Sequence, residues 1–283
     1  MTRLLEIDSE QFSENFARNP FTVRHNLTEH PLLSVESLAK LADRIPAASV
    51  EHNRGDVPEV LASGDAPQVD LTPGEIARGI ETNGCWMVLK HIEQDPEYKA
   101  LLDETLDEVV PLVSDREGGM HRREGFVFLS APNSVTPSHI DPEHNFLLQI
   151  RGWKEMHVGS FGDPKAEQEM LEHYYAGGHR NLELKPADST GYRLDPGNGI
   201  YVPVHAPHFV RNGDAVSVSL SITWFTPAIE RNARVHALNS RIRKLGITPL
   251  PPGRRPAADQ AKASAAKALA AARRTVRGGR RAA

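Results

Sequence analysis

From about residue 124 the chain turns into a succession of short β-rich runs, and this change of period constrains its fold more than any other feature. FVFLSA (126–131), NFLLQIRG (145–152), KEMHVGSF (154–161), IYVPV (200–204), HFVRNG (208–213) and AVSVSLSITWF (215–225) are separated by Gly, Pro and Asn. Many short strands with turn chemistry between them predict a double-sheet jelly roll (a double-stranded β-helix) or a related barrel across 124–227. Pro196-Gly197-Asn198-Gly199 and Asn212-Gly213-Asp214 are turn sequences, and the second is expected to close a tight antiparallel hairpin. Between KEMHVGSF and IYVPV lies a longer insert whose first part has helical character.

The first 123 residues read differently, as a mainly helical scaffold packed on that core. Ser34 ahead of ESLAKLADRI is a helix cap. Thr72-Pro73-Gly74-Glu75 places a cap, a proline and an early acid at the start of a helix over about 73–81. WMVLKHI (86–92) reads as a strand, and DPEYKALLDETLDEVVPLV after it as one amphipathic helix. After the β-rich core a further helix is expected within 228–250. The Ala-rich basic stretch 251–283 has few large apolar residues to bury and is expected to be disordered.

Composition limits the chemistry. Cys85 is the only cysteine, so an internal disulfide and thiolate-rich metal sites are excluded, and any metal must rest on His and carboxylates. No run approaches the ~20 apolar residues of a membrane helix. The first residues, MTRLLEIDSEQF, lack the uninterrupted apolar stretch of a signal peptide, and cytoplasmic residence is the expectation. Residues 253–283 carry nine Lys or Arg against the single acid Asp259, a net of +8, so the rest of a chain whose total is −4 carries −12. A body this acidic gives no whole-chain field to collect nucleic acid; the tail alone could contact phosphates or acidic lipids, though a solvated extension is the simpler reading, and no DNA-binding motif is visible.

His139 and Asp141 stand two apart in VTPSHIDPEHN, and on a strand both would leave the same face toward one ion. A third ligand is offered by GIYVPVHAPHFVRNG, where either His205 or His208 would reach across the barrel. Two imidazoles and one carboxylate leave open positions, as non-haem Fe(II) oxygenases require. An acidic cosubstrate would need a cation within the barrel: Lys154 is placed for it, and Thr136 would add a hydroxyl. His144, His157, Trp153, Tyr174 and Tyr175 receive no role.

At these residues the chain resembles a known family. TPSHIDPEHNFLLQIRGWKE is similar to the T-P-x-H-x-D…N-x-x-x-Q-[IV]-x-G-x-K signature of Jumonji-C hydroxylases, especially the branch of the asparaginyl hydroxylase that acts on hypoxia-inducible factor. DPGNGIYVPVHAPHFVRNGDAVSVSLSITWF resembles the same family's later stretch, which aligns His208 with the last metal ligand. The resemblance implies an Fe(II)- and 2-oxoglutarate-dependent dioxygenase using O2, with iron on His139, Asp141 and His208. It implies cofactor contacts by Thr136, Asn145 and Lys154, with Thr223 at the position of a family Asn. Two departures are the Ala206-Pro207 pair, where the family has Trp-Trp, and Thr223 itself.

The reaction so implied is hydroxylation, or the equivalent demethylation, of a peptide or protein side chain or of a small metabolite. Pairing of two chains through 228–245 is a further implication. Two rival readings stand beside it: a cupin-like sensor that regulates without catalysis, and a cupin enzyme that uses the metal without 2-oxoglutarate.

Overall fold

A computed structural model describes residues 3–62, 67 and 69–279, the side chains of residue 115 and of 271–279 excepted. The chain forms two compact units, Met1–Ser160 with Asn181–Phe225, and Phe161–Arg180 with Thr226–Ala283. In the first unit the elements run β1 (Leu5–Glu6), α1 (Ser9–Asn15), β2 (Phe21–His25), α2 (Val35–Arg44), β3 (Val50–Arg54), α3 (Pro73–Arg78), β4 (Cys85–Lys90), α4 (Pro96–Asp107) and α5 (Val110–Glu117). They continue with β5 (His121–Ser130), β6 (Val135–His139), β7 (His144–Arg151) and β8 (Lys154–Ser160). Beyond helix α6 (Pro164–Tyr175), which belongs to the second unit, come β9 (Ala187–Leu194), β10 (Asn198–Val202), β11 (His208–Asn212) and β12 (Ser217–Phe225).

The strands form an eight-stranded sheet, β1-β2-β10-β7-β12-β5-β4-β3, and a four-stranded sheet, β6-β11-β8-β9, with every pairing antiparallel. From β9 to β12 successive strands alternate between the sheets. The hairpin expected at Asn212-Gly213-Asp214 is therefore corrected: β11 and β12 lie in different sheets, and this turn carries the chain across. Asn212 is buried here, its Nδ2 donating to the Ser134 carbonyl at 3.0 Å, so the turn is tied to the neighbouring loop. Gly152 makes the crossing from β7 to β8. Its φ is +66°, and a Cβ there would stand 2.3 Å from the Val216 carbonyl oxygen, so only glycine fits.

The larger sheet has two different faces. One packs against the helices in a core that includes Phe12, Leu38, Leu41, Ile76, Tyr98 and Leu102 from the helices and Phe146, Leu148, Leu220 and Trp224 from the strands. The other meets the small sheet, where Leu147, Ile200 and Val202 pack on Met156, Val158, Leu194 and Val210. Strand β12 shows the consequence of a two-residue repeat. Val218, Leu220, Ile222 and Trp224 enter the helix-side core, leaving Ser217, Ser219, Ser221 and Thr223 to the space between the sheets.

The expectation of a helical first half is corrected as well. Residues 1–123 supply four strands that extend the large sheet at both edges, β1 and β2 on one side and β3 and β4 on the other. The 3.6-residue pattern sees helices but passes over two- to five-residue edge strands, whose register is set by the strand they pair with. Helix starts read from sequence are in place: Ser34 caps α2, and Thr72 and Glu75 form a reciprocal capping box on α3. The single helix expected from residue 95 is two, α4 and α5. Pro111, in the first turn of α5, has no N–H to give and would clash with the preceding turn.

In the second unit α6 packs with α7 (Pro227–Arg243), and α7 with α8 (Pro256–Gly279). Arg243 pairs with Glu172 at 2.6 Å across α6 and α7. The disordered tail expected from 251 is corrected to a helix over Pro256–Gly279. Alanine is the strongest helix former, and two polar anchors fix the start: the Asp259 carboxylate accepts the Gly253 N–H at 2.8 Å, and Lys262 donates to Asn239 Oδ1 at 2.8 Å.

Candidate functional site

Strand β6 is at the edge of the small sheet and ends at His139. Its outward backbone is not left open: the Ser138 N–H donates to the Glu59 carbonyl at 2.7 Å, and the Ser138 carbonyl accepts from the Leu182 N–H at 2.8 Å. The Glu59 carboxylate pairs in turn with Lys185 and Arg211. On the other side His139 stands opposite His208, the first residue of β11. Sheet pairing thus puts the two imidazoles side by side, with ring centroids 4.2 Å apart.

Asp141 reaches the pair by another route than the one expected. It lies beyond the end of β6, in the irregular segment before β7, so strand alternation does not aim it. Its backbone is held by the His205 N–H, which donates to the Asp141 carbonyl at 2.8 Å. One carboxylate oxygen, Oδ2, then stands 3.5 Å from His208 Nε2 and 3.9 Å from His139 Nε2.

These three residues offer donor atoms within 4.8 Å of one another, the group of His, Cys, Asp or Glu side chains found in such a cluster among the described residues. Metal–ligand bonds of about 2.1 Å meeting at right angles would put donors about 3 Å apart, and the carboxylate oxygen is within about an ångström of that spacing from each imidazole nitrogen. The tautomers suit it too. His139 Nδ1 is 2.7 Å from the Pro137 carbonyl and His208 Nδ1 2.8 Å from the Ala206 carbonyl. A carbonyl can only accept, so each Nδ1 carries a proton, which leaves Nε2, on the carboxylate side, as the nitrogen each ring could offer to a metal. His205 has φ +64° and is not in this cluster; its part is the backbone contact to Asp141.

Deeper between the sheets is Lys154, the first residue of β8, with 3% of its surface exposed. Its Nζ crosses to the large sheet and donates to Ser219 Oγ at 2.7 Å. Nζ also stands 5.9 Å from the centre of the Phe128 ring. With no carboxylate partner among the described residues, burial pushes its pKa down to about 7.

Asn145, on β7, accepts from Ser221 Oγ through Oδ1 at 2.7 Å and pairs across the ladder with Thr223. Thr223 donates its hydroxyl to the Glu124 carbonyl at 3.1 Å. Thr136, half-buried on β6, stands opposite Val210 of the inter-sheet cluster. Lys154, Asn145 and Thr223 thus meet a common row of hydroxyls, and Ser219 and Ser221 join the site without having been singled out from sequence. Their signal was present in SVSLSITWF, where every second residue is Ser or Thr.

The unassigned residues fall elsewhere. His144 is in the helix-side core, stacked between Phe16 and Trp224 at 4.7 and 5.2 Å, with Nδ1 2.7 Å from the Tyr201 hydroxyl and Nε2 3.0 Å from Glu117. His157 stacks on Phe209 at 4.5 Å, and Trp153 donates to Asp214 at 3.1 Å. Tyr174 and Tyr175 belong to α6, where Tyr175 stacks on His236.

Residues 117–231 match the sequence model of the JmjC domain family. No curated protein matches the chain by sequence. Among solved structures, the X-ray structure of ycfD from Escherichia coli matches with a TM-score of 0.54 at 17% identity, covering 95% of this chain and 69% of that one. A crystal structure of the same bacterium's ribosomal oxygenase YcfD gives 0.53, and YcfD in complex with cobalt and 2-oxoglutarate gives 0.52. Both are 17% identical over 95% of this chain and 68% of theirs. At this identity the likeness is one of fold.

Proposed function

Because residues 117–231 make this chain a JmjC-domain protein of the cupin-like 2-oxoglutarate oxygenase family, we propose that it is an Fe(II)- and 2-oxoglutarate-dependent dioxygenase that hydroxylates or demethylates a C–H bond of its substrate. The observation that carries this reading is the joint presence of the His139–Asp141–His208 cluster and a buried Lys154 with no carboxylate partner among the described residues. The alternation of β9 to β12 between two sheets supports reading the core as a jelly roll. A protein substrate is the class to try first, since a solved structure of similar fold is named a ribosomal oxygenase.

Bound iron, with 2-oxoglutarate and O2, supplies the oxidising power to insert one oxygen atom into an unactivated C–H bond while the cosubstrate is decarboxylated. The chain's own residues do the rest. His139, Asp141 and His208 would hold the ion on one face and leave three positions open, and the Asp141 carboxylate offsets part of its charge. The ammonium of Lys154 would bind the far carboxylate of 2-oxoglutarate, with Thr136 adding a hydroxyl. The row Ser219, Asn145–Ser221 and Thr223 would supply the polar surroundings that a dianion needs in place of water. A sensor of metal alone has no use for a buried, carboxylate-free lysine between the sheets.

The test is anaerobic titration of Fe(II)-loaded protein with 2-oxoglutarate, following the visible metal-to-ligand charge-transfer band, alongside Asp141→Ala and Lys154→Ala. A band in the wild type that is lost in the first variant and weakened in the second supports the reading. Iron demonstrably bound with no band would sink it and favour a cupin that works without 2-oxoglutarate.

A further inference from the structure

Helix α8 changes character along its length. Up to Ala266 it is anchored: Asp259 and Ala263 are buried, and Lys262 is spent on Asn239 and the Leu250 carbonyl. From Lys267 to Ala270 every residue is exposed, and the helix runs on to Gly279. The thirteen residues after Ala266 extend it by about 20 Å at 1.5 Å per residue.

This outer part has an unusual charge pattern. Lys267, Arg273, Arg274 and Arg277 lie in it, Arg280 and Arg281 follow in sequence, and no acid occurs after Asp259. A face kept only for solubility mixes both signs or pairs them at i,i+4, as Lys99 does with Asp103 on α4. Here the pairing is missing from the sequence. At 100° per residue, positions 267, 273, 274 and 277 fall within about 120° of helix arc, a single stripe. Five of the six cations beyond Ala266 are arginine, whose planar fork suits phosphate oxygens better than the point charge of lysine.

We propose that the outer half of α8 is a nucleic-acid-binding arm that contacts the phosphate backbone without reading sequence. An acidic membrane fits less well. A helix lying in a lipid interface needs a face of large apolar residues, and beyond Ala266 the chain offers only Leu269 and Val276 among alanines. The segregation of charge fits an arm too. The remaining −12 of the chain repels phosphate, which confines contact to this helix and keeps it weak and dependent on salt. This inference is independent of the oxygenase reading, since no residue of the metal cluster takes part in it.

The experiment uses the full chain and a fluorescein-labelled mixed-sequence duplex of about 20 base pairs, with affinity followed by anisotropy across a salt series. Binding whose logarithm falls with log salt at a slope between about −3.6 and −5.4 is expected, from about four to six phosphates neutralised. The full-chain variant K267Q/R273Q/R274Q/R277Q should lose at least tenfold in affinity while its circular dichroism is unchanged, because Gln is as good a helix former as Lys or Arg. Three results would each overturn the proposal: no duplex binding by the wild type at about 50 mM salt; equal binding by the variant; or partition onto anionic phosphatidylserine vesicles by a protein that leaves the duplex unbound.

Discussion

Lys154 and Ser219 join the two sheets through one hydrogen bond, Nζ to Oγ at 2.7 Å, at a place where the lysine is 3% exposed and has no carboxylate partner among the described residues. A cation so placed is costly in the protein alone and useful only when an anion arrives. The first two predictions follow from this pair.

Affinity for 2-oxoglutarate should depend on pH through Lys154. Its pKa in the protein alone is about 7, and a bound carboxylate raises it. Binding above pH 7 therefore takes up a proton and weakens as pH rises, toward a limit of about tenfold per unit. Calorimetry of metal-loaded protein in buffers of different ionisation enthalpy should detect the uptake at pH 8. Lys154→Arg, charged throughout, should show none if it binds; an unchanged pH dependence in that variant would rule Lys154 out as its source.

Stability should respond in the opposite sense to function. The folded pKa of Lys154 lies below the unfolded value of 10.5, so the unfolded chain binds more protons between about pH 7 and 10.5. This residue's cost is full below about 7 and fades as pH rises through that window. Lys154→Met removes it, and urea unfolding of the metal-free protein at pH 7 should show a gain of about 1–2 kcal/mol. The same variant should bind 2-oxoglutarate at least tenfold more weakly.

Metal affinity should separate the two histidines of the 203–208 turn. His208→Ala removes a donor of the cluster and should lower Co(II) affinity at least a hundredfold in an optical titration. His205→Ala keeps the backbone N–H that holds Asp141 and should bind Co(II) within tenfold of wild type. The reverse order would reassign the third ligand.

Tyr201→Phe should destabilise the fold by about 1–3 kcal/mol with little effect on metal binding. The Tyr201 hydroxyl accepts from the N–H of the exposed Ala17 at 3.1 Å and meets His144 Nδ1 at 2.7 Å, and its loss leaves the buried His144 without that partner in the helix-side core. Denaturant midpoints and Co(II) affinity measured on one preparation would distinguish this from a role in the metal cluster.

Gly152→Ala should cost at least about 1 kcal/mol, because the residue is left-handed and the added methyl meets the backbone of Val216 rather than a side chain that can move. A thermal midpoint equal to wild type would show that the crossing from β7 to β8 can shift.

Local rules were legible in the sequence wherever short-range physics decides. Thr72 with Glu75 and Ser34 mark helix starts because a cap is a bond between residues three apart, and FVFL, NFLLQI and KEMHV mark strands because their alternation is local. The residue types of the candidate cluster and of Lys154 stand out in the sequence too, since few side chains could hold a metal ion or an organic dianion. Tertiary structure alone decided where they meet. His139 and His208 are neighbours because β6 and β11 pair across 69 residues of chain, and Asp141 joins them through a backbone bond from His205 rather than through strand alternation. Strand pairing also sent β12 to the other sheet instead of closing the hairpin that Asn212-Gly213-Asp214 suggested, which brings Ser219 to Lys154. Turn chemistry fixes a local bend, but the partner of a strand is fixed by which faces can be buried together, and that is a property of the whole chain.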